Sequence, residues 1–181
     1  MNKPRSTVLS GMILAAAAAR LVPHAPNFTP IAAIALFGGA HFADKRLAFG
    51  VPLAALLLSD LVLGFYHGMA VVYGSFALIV GLGLWLRSRR TIWPIAGAAL
   101  VSSLLFFLVT NFGVWVAGSL YPQTLSGLGA CYVAAIPFFR NTLGGDLFFS
   151  AVLFGGFALA EKRFHSLREP LAKWSASPAT H

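Results

Sequence analysis

Four ionisable residues, Arg20, Asp60, Arg140 and Asp146, stand inside or at the edge of long apolar stretches. A charge within hydrocarbon costs a few kcal/mol unless it faces protein, water or a partner, so each is a candidate binding or pathway group. Helical spacing supplies companions. Asp60, Gly64 and His67 recur at i, i+4 and i+7 and share one face, with the glycine leaving room for a ligand to approach. Asn111, Trp115 and Gly118 repeat that pattern, and Asn141 with Gly145 starts it again. His24, Asn27 and Thr29, from the first outer connection, join them at the same depth, so the set is expected to face outward. Hydrogen-bonding groups set in aromatic and apolar walls have the make-up of a pocket for a small, partly polar molecule. The competing reading is that the carboxylates pair with the arginines, and that Asn and His hold helices in register. His41 and His165 read as packing residues.

Other chemistries leave weaker traces. Asp60 with His67 could serve as an acid–base pair in an intramembrane enzyme acting on a lipid-linked or vitamin substrate. A non-catalytic subunit of a membrane complex is a third possibility. The chain has no Gly-x-Ser-x-Gly elbow, no His-Glu-x-x-His and no P-loop, so no catalytic residue and no cofactor is expected, and any ATP dependence would come from another protein. The single cysteine, Cys131, forms no internal disulfide; it reads as a packed residue or as one ligand of a soft metal. Gly11, Ala15 and Ala19 make a small-xxx-small stripe along which another helix, of this chain or of a partner, can pack closely.

The elements that must position these groups follow from composition. The 181 residues are 58% hydrophobic and 10% charged, with a mean hydropathy of +0.79, whereas an ordinary soluble domain carries about 25% charged residues. That surplus predicts a single all-α transmembrane domain over 1–181, with an N-terminus at 1–6, a helical bundle at 7–160 and a basic tail at 161–181. Six apolar segments stand out, near 7–22, 30–42, 47–66, 69–86, 91–118 and 141–160. The second is short for a crossing and holds the Gly38-Gly39 pair, which predicts a bent or buried helix. Between the last two, 119–139 is apolar but broken by Pro122, Gly127, Gly129 and Pro137, and reads as an outer cap, either a short helix or a re-entrant loop.

The net charge of +8 does not point to nucleic acid, because the basic residues fall in short clusters between apolar runs. Lys3 and Arg5, Lys45 and Arg46, Arg87, Arg89 and Arg90, and Lys162, Arg163, Arg168 and Lys173 occupy alternate connections. Arg20 and Arg140 are the exceptions, leaving eleven of thirteen on one side. This places both termini in the cytoplasm of a multi-pass protein of the bacterial inner membrane. The first segment also has the look of a secretory signal, with Ala17-x-Ala19 as its cleavage site; its length suits a retained crossing better.

The stretches RLVPHAPNFTPIAAIALFGGAHF (20–42), SDLVLGFYHG (59–68), TNFGVW (110–115) and YPQTLSGLGACYVAAIPFFRNTLGGDLFF (121–149) resemble a family of uncharacterised bacterial membrane proteins described as transport proteins. That family is similar in turn to the substrate-binding S components of energy-coupling-factor vitamin transporters. The resemblance implies six helices that capture a vitamin-like molecule or cofactor precursor at the outer face. It also implies docking to a coupling subunit with its ATPases through small residues of the first helix, here Ala15 and Ala19. Solitary relatives that handle cobalamin use a cysteine ligand, a role for which Cys131 is the candidate.

Overall fold

Long apolar runs fold as helices in hydrocarbon because the backbone has no water to satisfy its N–H and C=O groups. The structure, a computed structural model, describes residues 3–168, and its regular elements are all helical. They are α1 (Lys3–Ala18, prolonged by the 3₁₀ turn Ala19–Leu21), α2 (Ile31–His41), α3 (Lys45–Leu63), α4 (Met69–Leu86), α5 (Ile92–Ala117) and α6 (Leu125–Arg163). A second 3₁₀ turn, His165–Leu167, ends the described chain. The expected tail, with Lys173, lies for the most part outside the described residues.

Four helices, α3 to α6, are long and apolar enough to cross a membrane. Their outward faces carry Leu61, Val62, Ile92, Trp93 and Val133, all largely exposed. Of the six expected crossings, these four have that length and composition among the described residues. The 16 residues of α1 and the 11 of α2 rise about 24 and 16 Å, against hydrocarbon about 30 Å thick.

The separate outer cap expected at 119–139 is corrected. Residues 125–139 continue without a break into the expected last segment, giving one helix of 39 residues, about 58 Å of rise. Two local features account for this. Thr124 caps the helix, its hydroxyl accepting from the Gly127 N–H at 3.1 Å, and Gly127 is needed because a Cβ there would lie 2.0 Å from the Pro122 carbonyl oxygen. Pro137 sits inside the helix, where it removes a single intrahelical hydrogen bond. Thr124→Ala is expected to destabilise the hairpin of α5 and α6 by about 1 kcal/mol, visible as faster amide exchange at Ser126 and Gly127.

Helix α2 forms the centre. Ten of its eleven residues are buried, as expected for a helix apolar on every side. Glycines on both sides of its crossing with α4 allow this enclosure: a Cβ on Gly39 of α2 would stand 2.3 Å from the Val80 carbonyl oxygen, and one on Gly83 of α4 2.4 Å from that of Leu36. Arg87 closes its C-terminus, donating from Nε to the Gly39 carbonyl at 3.0 Å and from its terminal nitrogens to Phe42 and Ala43, where a cation also meets the helix dipole favourably. At the same end of the bundle the fully buried Arg5 donates to Glu161 and to the Leu167 carbonyl, 4.9 Å above the Phe157 ring.

Candidate functional site

At the end opposite Arg5 the polar groups fall into separate clusters. The first joins three helices. The 3₁₀ turn that ends α1 delivers Arg20 to Asp60 in the last turn of α3, with Nη1 2.8 Å from Oδ1, and Arg20 also donates to the Ser59 hydroxyl. The Tyr73 hydroxyl, from α4, donates to Asp60 Oδ2 at 3.0 Å. Both oxygens of this fully buried carboxylate are thus engaged, in the pairing that the competing reading anticipates. Partial burial and the Asp60 charge push the phenol of Tyr66, in the next connection, above its ordinary value. His67 is exposed. Gly64 serves a different purpose from the one its spacing suggests: with a φ of 94° it terminates α3 in a conformation open to glycine.

The second cluster surrounds Asp146, 2% exposed on α6. Its Oδ2 lies 2.6 Å from the Ser103 hydroxyl of α5, which is itself 3.1 Å from the Ala99 carbonyl oxygen. The connection 22–30 descends beside it, turning at Asn27 with a φ of 62°. It lies close against α6 because Gly145 has no side chain; a Cβ there would be 3.1 Å from Thr29 N. Asn141 Nδ2 fastens the same connection by donating to the Pro26 carbonyl at 2.9 Å. A cavity of about 30 Å³ results, bounded by Asn27, Thr29, Thr142, Asp146 and the first residues of α2, enough for one or two waters.

The remaining expected residues lie elsewhere. Asn111 bonds within its own helix to the Phe107 carbonyl at 2.8 Å, and Trp115 Nε1 donates to the Pro122 carbonyl at 2.9 Å. Trp115 braces the hairpin of α5 and α6, as does Tyr132, which donates to the Leu108 carbonyl. Cys131 is buried against the Asn111 carbonyl, and among the described residues no three His, Cys, Asp or Glu gather as metal ligands. Arg140 and His24 are exposed, His24 bonding to the Val22 carbonyl. The single pocket expected from Asp60, Asn111 and Asn141 is therefore divided, because each is consumed by a different local brace. On α1, the buried face is Arg5, Leu9, Ile13 and Ala17; Gly11 and Ala15 are exposed and Ala19 partly so.

A space of ligand size opens at the Arg5 end instead. It measures about 800 Å³ and lies between the start of α5 and the end of α6, with His41 of α2 on its lining. Ile95, Ala96, Ala99, Ala151, Phe154 and Ala158 supply apolar walls, and Arg90, Ser150 and Glu161 add polar groups. His41 is held against Phe37, Phe154 and Phe157, with ring centroids 4.4 to 5.1 Å away, and its Nδ1 sits 3.1 Å from the Phe37 carbonyl oxygen. The Ser150 hydroxyl is buried without a hydrogen-bond partner among the described residues. Type and spacing around the charged residues do not bring out Ser103 or Ser150. The available signal is the i, i+4, i+8 ladder of Thr142, Asp146 and Ser150 along one face of α6.

The model of a family of unknown function, DUF6580, matches residues 1–169. Neither the curated proteins nor the solved structures include a match to this chain.

Proposed function

Because the chain belongs to this family of unknown function, its activity must be read from its own residues, and we propose a multi-pass transport protein that binds a small, partly polar molecule between α5 and α6. The observation that carries this reading is the cavity of about 800 Å³, with apolar walls and a few polar groups from α2, α5 and α6, the size and make-up of small-molecule sites. A vitamin-like molecule or cofactor precursor suits it, its apolar body against Ile95 and Phe154 and its polar end toward His41, Arg90 or Ser150.

Clustering of Arg5, Arg87 and Arg90 at one end supports a cytoplasmic placement of that end, with six helices threading the bilayer of a bacterial inner membrane. Helix α1 gains length from its 3₁₀ turn, and α2 acts as a half-helix completed by the connection 22–30. In this orientation the cavity faces inward, while the Arg20–Asp60–Tyr73 bridge fastens the outer end, an arrangement suited to releasing a molecule captured outside. The exposed Gly11 and Ala15 suit an ATP-driven coupling subunit as a docking partner; a solitary carrier would leave them to lipid.

Gly155→Phe tests the assignment. Gly155 lines the cavity and a Cβ there meets no atom within 4 Å, so the ring fills the space with little disturbance to packing. Mass spectrometry of protein extracted from its native membrane is expected to find a small molecule in the wild type and to lose it in the variant. Equal recovery from both, or an empty wild type, overturns the reading.

A further inference from the structure

We propose that Asp146 is a proton-binding site in the interior of the bundle, holding its proton as a carboxylic acid and exchanging it with water in the adjoining cavity. The inference is independent of what the larger cavity carries. It starts from the cost of charge: a carboxylate 2% exposed within apolar helices requires a cation or several donors, and among the described residues Asp146 has one hydrogen-bond partner, Ser103. The ionisable groups of the surrounding elements are committed elsewhere. Arg20 of α1 and Tyr73 of α4 bond to Asp60 of α3, His41 lies at the far end of α2 among phenylalanines, and Arg140 of α6 is exposed. From α5 comes the Ser103 hydroxyl, and from the connection before α2 come Asn27 and Thr29.

Hydrogen-bond accounting points the same way. A serine hydroxyl has one proton. Ser103 Oγ is within bonding distance of two oxygens, the Ala99 carbonyl and Asp146 Oδ2. Both contacts are satisfied at once when Asp146 carries the proton and donates to Ser103, which then donates to Ala99. The ionised form is still accessible, because the amino end of α2 borders the same cavity and favours negative charge. On release the O–H bond breaks, the electron pair stays on the carboxylate and the proton passes to a water; binding is the reverse. The cavity of about 30 Å³ admits that water on one side. On the other, one helical turn along α6, the unpartnered Ser150 hydroxyl stands at the cavity of about 800 Å³, so Thr142, Asp146 and Ser150 form a polar ladder between the two spaces.

Infrared difference spectroscopy of the purified full chain, titrated with acid and alkali, reads this directly. A protonated-carboxyl C=O band is expected at neutral pH and should convert to carboxylate absorption at alkaline pH. Asp146→Asn should abolish it, Asp44→Asn at the exposed cap of α3 should leave it, and Ser103→Ala should shift its frequency while keeping its intensity. The last variant retains the carboxyl and so decides the matter if Asp146→Asn fails to fold. A spectrum with no neutral-pH carboxyl band, or a band unmoved by Ser103→Ala and kept in Asp146→Asn, overturns the proposal. So does loss of the band on adding sodium at constant pH, which would assign the site to a metal cation.

Discussion

Arg20→Ala is expected to cost about 3–5 kcal/mol of stability, as does Asp60→Ala, the usual result of stranding one member of a buried ion pair. Asp60 is fully buried and Arg20 nearly so, and the guanidinium reaches Asp60 Oδ1 at 2.8 Å. Without Arg20, the Tyr73 hydroxyl is the one donor left on the carboxylate among the described residues. Without Asp60, Arg20 keeps the Ser59 hydroxyl alone, an acceptor with no charge. The penalty arises from the uncompensated charge, so the double variant Arg20→Met/Asp60→Leu should regain most of the loss. Thermal unfolding in one detergent across the four proteins checks this. A double variant as unstable as the sum of the singles would show that the pair stabilises the bundle through its geometry.

The second large effect is expected at the crossing of α2 and α4. A single added Cβ at Gly39 falls 2.3 Å from a carbonyl oxygen of α4 and 2.8 Å from the Gly83 Cα. These are backbone atoms, which cannot rotate aside. Gly39→Leu therefore has to part the two helices and should cost about 3 kcal/mol, the upper part of the range for overpacking. Gly81→Leu on α4, where a Cβ meets nothing within 4 Å, should stay close to wild type. Size-exclusion profiles and unfolding midpoints of the pair separate a specific close approach from a general intolerance of bulk.

That the chain builds helices long and apolar enough to cross a membrane was legible in its composition, and α4 in its boundaries, because apolar runs closed by arginines leave a helix little freedom of extent. The fate of 119–139 was less legible. Pro137 and the glycines are ordinary helix breakers, but α6 runs through them, because Thr124 caps its start and Pro137 removes only one intrahelical hydrogen bond. The candidate site was half legible. A charge in an apolar segment announces itself, so Arg20, Asp60 and Asp146 stand out; the serines beside them do not, since a hydroxyl is tolerated anywhere on a helix that can bond back to its own carbonyls.

By itself, the sequence determined that the chain is helical, apolar on its outward faces and basic in alternate connections, because these depend on residues near one another along the chain. Tertiary structure alone decided that Asp60 is paired while Asp146 is not. That difference depends on which segments pack beside each carboxylate: the 3₁₀ turn after α1 brings a guanidinium to the first, and the middle of α5 brings a hydroxyl to the second. Partners separated by some forty residues are chosen by packing, and spacing within one helix carries no trace of them.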